Sequence, residues 1–305
     1  MGWILLFLLA VAVLVFWMWI ERWHLLLPST IPALKWMGIR RVLSPESVNA
    51  IFYGRWIETY LKFLSRFFMN NPRRAKWLEE TYHGKVLTPE LAKAVINCDR
   101  DIPLQDLGEK IIPYSRARDI VLSASKDIVL TSCGCKTRSD HSCKKVAPPY
   151  RTCMLIGSPL TDYLLEHKPL HSQRISQAEA LTRLSEFHEM GLVHNAFFKD
   201  CLKDQFYVIC NCCECCCLGF ESMRHGIRQL APSGYACVVD PEKCAACGKC
   251  VTRCMFGAST LDGKAAVSWE KCMGCGVCVS TCPSGARSLV LDEKKGLPMD
   301  VRKLA

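Results

Sequence analysis

Apolar and polar positions change character several times along the chain. Gly2 to Ile20 holds nineteen residues without a charge, and a helix of that length just spans a bilayer's hydrocarbon core. Trp17, Trp19 and Trp23 fall where an interfacial aromatic belt is expected. No Lys or Arg precedes the run and no small-residue cleavage site follows it, which favours an uncleaved anchor over a signal peptide. Leu25 to Gly38 is apolar but broken by Pro28 and Pro32, a pattern expected to lie at the membrane interface. Ser44-Pro45-Glu46 then opens a helix. Tyr53, Trp56, Ile57, Tyr60, Leu61, Leu64, Phe67 and Phe68 share one face of it, with Arg55, Glu58, Lys62 and Arg66 on the other. That helix suits either the bilayer surface or a domain core. Pro72 to Tyr82 and Thr88 to Asn97 read as further helices, the second with Thr88 as N-cap and Pro89 at its first position.

From Ile111 the periods shorten. Pro113 to Ser125 is helix-like, Asp127 to Thr131 strand-like, and Phe206 to Ile209 strand-like again. Ser176 and Glu179 form a capping box for a helix running to Met190 and ending at Gly191. Tyr235 to Val239 and Ser288 to Leu291 are expected to pair as an outer hairpin. The expected class is α+β: a transmembrane anchor at 1–22, a helical membrane-proximal spacer at 23–110, a cysteine-rich α/β domain at 111–234 and a ferredoxin-like two-cluster domain at 235–305.

The last of these rests on cysteine spacing. The chain has 21 cysteines, and two runs, Cys244-x2-Cys247-x2-Cys250-x3-Cys254 and Cys272-x2-Cys275-x2-Cys278-x3-Cys282-Pro283, repeat the arrangement that holds a [4Fe-4S] cube. Three thiols sit on one tight loop, where Gly248, Gly274 and Gly276 let the backbone curl. The fourth lies a helical turn on and ligates the other cube. The expected sets are Cys244, Cys247, Cys250 and Cys282 for one cluster, and Cys272, Cys275, Cys278 and Cys254 for its partner. A pair of zinc sites would favour two separated Cys-x2-Cys pairs over four cysteines in one run. About Tyr235 to Leu291 the chain resembles bacterial two-[4Fe-4S] ferredoxin domains, which implies single-electron transfer at low potential. Met255 stands after Cys254 where that family usually has Pro.

Cys133, Cys135, Cys143 and Cys153, and the run Cys210, Cys212, Cys213, Cys215, Cys216 and Cys217, are candidate ligands of further metal. Adjacent residues on an extended chain face opposite ways, so one cluster should take alternate cysteines of the run and leave others for a second or free. His141 stands near the first group. Together with Gly191-Leu192-Val193-His194, this layout over about Ile111 to Leu291 looks like a group of ferredoxin-domain iron-sulfur proteins from anaerobic prokaryotes. The likeness implies additional iron-sulfur clusters and anaerobic electron flow. Cys98, Cys201 and Cys237 have no ligand spacing and read as buried or free thiols.

Net charge is +10 with histidine neutral, and two cubes at roughly −2 each would lower it to about +6. No nucleic-acid motif accompanies that charge, so a membrane and acidic redox partners are expected, not nucleic acid. Arg22, Lys35, Arg40 and Arg41 follow the apolar run, which puts the bulk of a single-pass chain in the cytoplasm. Thiol-rich metal ligation asks for the same reducing compartment. No P-loop or dinucleotide fingerprint is present. The expected function is a membrane-anchored electron carrier, with a redox partner protein or membrane oxidoreductase subunit. A second class is a reductase with a catalytic centre in the middle domain, in the manner of heterodisulfide reductases. A third is redox sensing or cluster handling.

Overall fold

A computed structural model describes residues 2–24, 26–38, 44–103, 108–112, 121–122, 127–138 and 142–304. His141, Arg40 and Arg41 lie outside them, as does the expected Pro113 to Ser125 helix except for Val121–Leu122, which is strand.

Helix α1, Gly2–Ile20, is long and apolar enough to cross a membrane, and none of its apolar window is buried. Its end meets the rest of the chain through Trp19, which stacks on Trp56 at 5.4 Å between ring centres. The apolar segment after it contains α2, Thr30–Met37. The single helix read from Ser44 onward is two, α3 (Pro45–Arg55) and α4 (Ile57–Phe68). Trp56 breaks it by leaving helical geometry at φ −126°, ψ 47°. Tyr53, Leu61 and Leu64 are buried in the protein core, so this face packs on the domain, while Phe63 and Phe67 stay exposed.

Helix α5, Pro72–Thr81, runs directly into strand β1, Tyr82–Leu87, and α6 follows at Pro89–Ile96 with the Thr88 cap in place. Strand β1 falls in the stretch read as helical spacer. Every residue of β1 is buried, because helices cover both sides of the sheet; the period-of-two signal of a half-exposed strand is therefore missing. Short strands β2 (Ile102–Pro103) and β3 (Val121–Leu122) pair with each other, and helix α7 is one turn, Gly108–Ile111.

The remaining elements of the middle region are β4 (Ile128–Ser132), α8 (Gly134–Arg138), β5 (Arg151–Ile156), α9 (Leu160–His167), β6 (Ser172–Ile175), α10 (Gln177–Glu189), β7 (Val193–Lys199), β8 (Phe206–Cys212), α11 (Leu218–Arg224) and β9 (Leu230–Ala231). They form a seven-stranded sheet, order β6-β4-β5-β8-β7-β1-β9, antiparallel except where β1 meets β9. Leu91, Val95 and Ile96 of α6 and Ala180, Leu184 and Phe187 of α10 fill one core with Met154 and Ile209. Leu61 and Leu64 of α4, Leu78 of α5 and Phe220 of α11 fill the other with Phe197 and Tyr207.

The C-terminal unit is built on two short hairpins. Strands β10 (Tyr235–Val239) and β13 (Arg287–Leu291) pair antiparallel as expected. Between them lie α12 (Lys249–Thr252), the hairpin β11 (Ser259–Asp262) with β12 (Lys264–Val267), and α13 (Val277–Ser280). Met273 and Val277 enter the core that holds Phe220, and Phe256 stacks on Phe220 at 4.8 Å. The two units share apolar packing there.

Candidate metal centres

Each C-terminal loop curls because two positions adopt positive φ. In the second loop these are Gly274 at +65° and Gly276 at +82°; in the first they are Ala246 at +53° and Gly248 at +71°. Only glycine fits at 274, since a Cβ there would run into the Tyr235 carbonyl and the Ser233 hydroxyl. Ser233 fastens the same loop by donating its hydroxyl to the Gly274 carbonyl at 2.7 Å.

The loops bring the thiols into two sets. Cys244, Cys247, Cys250 and Cys282 line one small cavity, so the last cysteine of the second run stands with the first three of the first. Cys275 is half-buried, and its loss of solvation pushes its thiol up, with Cys278, Cys254 and Cys272 close enough to add to the rise. Backbone N–H groups approach the sulfurs: Ala265 to Cys244 at 3.5 Å, Ala258 to Cys254 at 3.3 Å and Cys237 to Cys272 at 3.4 Å. Convergent thiols with N–H donors aimed at them fit an iron-sulfur cube, whose potential such donors raise.

Spacing gave no hint of two neighbours. Cys237, read as an unattached thiol, lies 3.5 Å from Cys278. Arg287, buried, donates to Ser259 at 3.0 Å and to the Cys237 sulfur at 3.7 Å. Hydrogen bonds from Cys278 and then Arg287, working against burial, hold the Cys237 thiol below its ordinary value. Cys201 is a core thiol that burial pushes up to about 12, and Cys98 donates to the Arg100 carbonyl at 3.1 Å.

The middle region sorts its ten candidate cysteines into two groups. Register places Cys153 of β5 opposite Cys210 of β8, with sulfurs 3.4 Å apart. Cys133 contacts Cys153 and Cys135, Cys135 contacts Cys217, and Cys212 contacts both Cys217 and Cys210. The six thiols close a ring, all on the core side that holds α4 and α11. Cys210 and Cys212 share that side because strand residues two apart face the same way. Gly134, between Cys133 and Cys135, lets Ile57 approach: a Cβ there would sit 3.0 Å from its side chain.

Lys136 lies against the ring, buried, donating to Thr152 Oγ1 at 3.1 Å and to the Asn211 carbonyl at 2.9 Å. Burial pulls its ammonium down, but thiolate charge on Cys133, Cys213, Cys212 and Cys153 outweighs that and holds it well above the usual value. Within the ring, bonds from Cys210 and Cys217 pull Cys212 down to about 6. Hydrogen bonds from Cys135 and Cys153 hold Cys133 below its ordinary value as well.

The second group, Cys143, Cys213, Cys215 and Cys216, gathers with all sulfurs within 4.8 Å of one another. Individual separations are 3.5 Å for Cys143 to Cys213, 3.9 Å for Cys143 to Cys215, 3.2 Å for Cys213 to Cys215 and 3.5 Å for Cys215 to Cys216. Four thiolates at about 2.3 Å from one tetrahedral ion lie ~3.8 Å apart. This group has the dimensions of a single ion, one way for these candidate ligands of further metal to be used. His194 belongs to neither group: its Nδ1 pairs with Asn211 Oδ1 at 2.5 Å and its ring stacks on His188.

No curated protein matches the chain. The 4Fe-4S binding domain family, Fer4, matches residues 265–288, which include Cys272, Cys275, Cys278 and Cys282. The match and the thiol geometry around it together point to 4Fe-4S binding at residues 265–288, near the C-terminal end of this chain.

Proposed function

We propose that the protein is a membrane-anchored iron-sulfur electron carrier with two [4Fe-4S] cubes at 235–305 and a further cluster on the six-thiol ring of the middle domain. The observation that supports this is Cys282 lining one cavity with Cys244, Cys247 and Cys250, the arrangement that crossed ligation in a two-cube unit requires. In this reading the cubes pass single electrons at low potential, with sulfur hydrogen bonds and burial as the levers on each potential. The four-thiol group holds one structural ion, zinc or iron, that pins the turn after β8. The exposed apolar α1 supports a single-pass anchor. The positive residues after it support a cytoplasmic body facing a redox partner or membrane subunit.

Anaerobic purification with iron, sulfide and zinc counted per chain, and EPR of the reduced form, tests the proposal. About twelve irons are expected, eight of them in the cubes, if the ring holds a four-iron cluster. Colourless protein carrying zinc in place of iron would overturn it. The reductase reading keeps one specific support, an apolar cavity that reaches Cys133, Cys135, Cys153 and Cys210.

A further inference from the structure

That cavity has a volume of about 140 Å³. A cavity of about 150 Å³ takes up one benzene molecule, so this one admits a single ring. Its floor is the four thiols just named, together with Tyr53 and Tyr207. At its other end stand Trp17 and Glu21, from the last turn of α1 and just beyond it, and Leu34 and Trp36 of α2. The space therefore runs from the apolar helix to the thiol ring.

The lining is apolar, with few polar groups. Glu21 is already engaged, accepting the Leu27 N–H at 2.6 Å and the Thr30 hydroxyl at 2.8 Å. Glu58 is paired with Lys168 at 3.0 Å. The Tyr53 and Tyr207 hydroxyls bond each other. Ser132 is different: it is buried, lines the cavity, and its hydroxyl has no hydrogen-bond partner among the described residues. A buried hydroxyl without a partner costs about 1–3 kcal/mol, and a carbonyl on a bound ring would remove that penalty.

We propose that this cavity binds the ring of a membrane-dissolved quinone, its carbonyl accepting from Ser132 and its apolar tail leaving past α2 toward α1. The proposal rests on the iron-sulfur reading and names the substrate class for the middle-domain centre. Two electrons, delivered one at a time from the reduced clusters, and two protons from water convert the quinone to the quinol. Two clusters are each oxidised by one electron, or one cluster is oxidised twice with re-reduction by the cubes between.

The test uses the full chain in lipid nanodiscs, purified without air, and a decyl-tailed benzoquinone as probe. Binding is read by quenching of tryptophan fluorescence with the clusters oxidised. Electron transfer is read by the bleached cluster absorbance returning when dithionite-reduced protein, freed of excess reductant, meets the quinone. Saturable binding and reoxidation are expected. Ser132→Ala should weaken binding about tenfold. Leu34→Trp, which fills the cavity, should abolish both signals while ferricyanide still reoxidises the clusters at the wild-type rate. If the quinone reoxidises both variants as fast as wild type, the reaction occurs at exposed cubes and the cavity assignment is overturned. Fluorescence unchanged by the quinone, or quenched equally in all three proteins, overturns it as well. Protein with no iron to bleach would instead defeat the electron-carrier reading on which the proposal stands.

Discussion

Positions 246 and 274 are equivalent in the two cluster loops, each two residues after the first cysteine of its run, and they should respond to substitution with opposite signs. Gly274 has φ +65° and Ala246 φ +53°. A side chain in left-handed geometry costs roughly 1–2 kcal/mol. At 274, Gly274→Ala also drives a Cβ against the Tyr235 carbonyl and the Ser233 hydroxyl, and overpacking of that kind typically costs about 1–3 kcal/mol. Together the loss is about 2–5 kcal/mol, directed at the loop that carries Cys272 and Cys275. At 246 the strain is already present, so Ala246→Gly removes it. Part of the gain returns as glycine's extra unfolded-state entropy, about 0.5–1 kcal/mol, leaving a net stabilisation of about 0.5–1 kcal/mol. Anaerobic thermal unfolding and iron content per chain are the assays. Gly274→Ala should lose about four irons and melt earlier, and Ala246→Gly should keep all its iron and melt slightly later. Full iron content and an unchanged melting temperature in Gly274→Ala would refute the reasoning, because the loop would have to accommodate a Cβ where its backbone leaves none.

Cys213→Ser should remove one bound metal ion, seen by elemental analysis, and leave the iron count of the cubes unchanged if the four-thiol group holds a single ion. Lys136→Met should destabilise the middle domain by about 3–5 kcal/mol in anaerobic urea unfolding, since it leaves buried thiolate charge without its cation. Burial pushes His194 down to about 4, against about 6.5 in the unfolded chain. The folded state refuses a proton that the unfolded state accepts, so stability is full above about pH 6.5 and falls as pH drops toward 4. Between pH 7 and pH 5 the loss is about 2 kcal/mol. His194→Gln should flatten that limb of a urea-unfolding series, and an unchanged slope would refute the assignment.

Local rules sufficed for much of the molecule. The caps at Ser44, Thr88 and Ser176, the apolar run of α1 and the two loops of four cysteines each depend on residues within one turn or one loop. Even the β10 to β13 hairpin was legible, because the loops it brackets announce themselves. Folding alone decided what depends on distant partners. Strand β1 hid among helices because both its faces are covered, and α3 parts from α4 at Trp56 where Trp19 stacks. Above all, ten cysteines of one chemistry became a ring of six and a group of four. Cys133 and Cys153 meet Cys210 only through the pairing of β4, β5 and β8, and no spacing along the chain encodes a contact made across a sheet. The sequence by itself determined that sulfur would hold metal here. Which sulfurs share it, and that an apolar cavity opens on them, was decided by strand register and by the helices packed over one face.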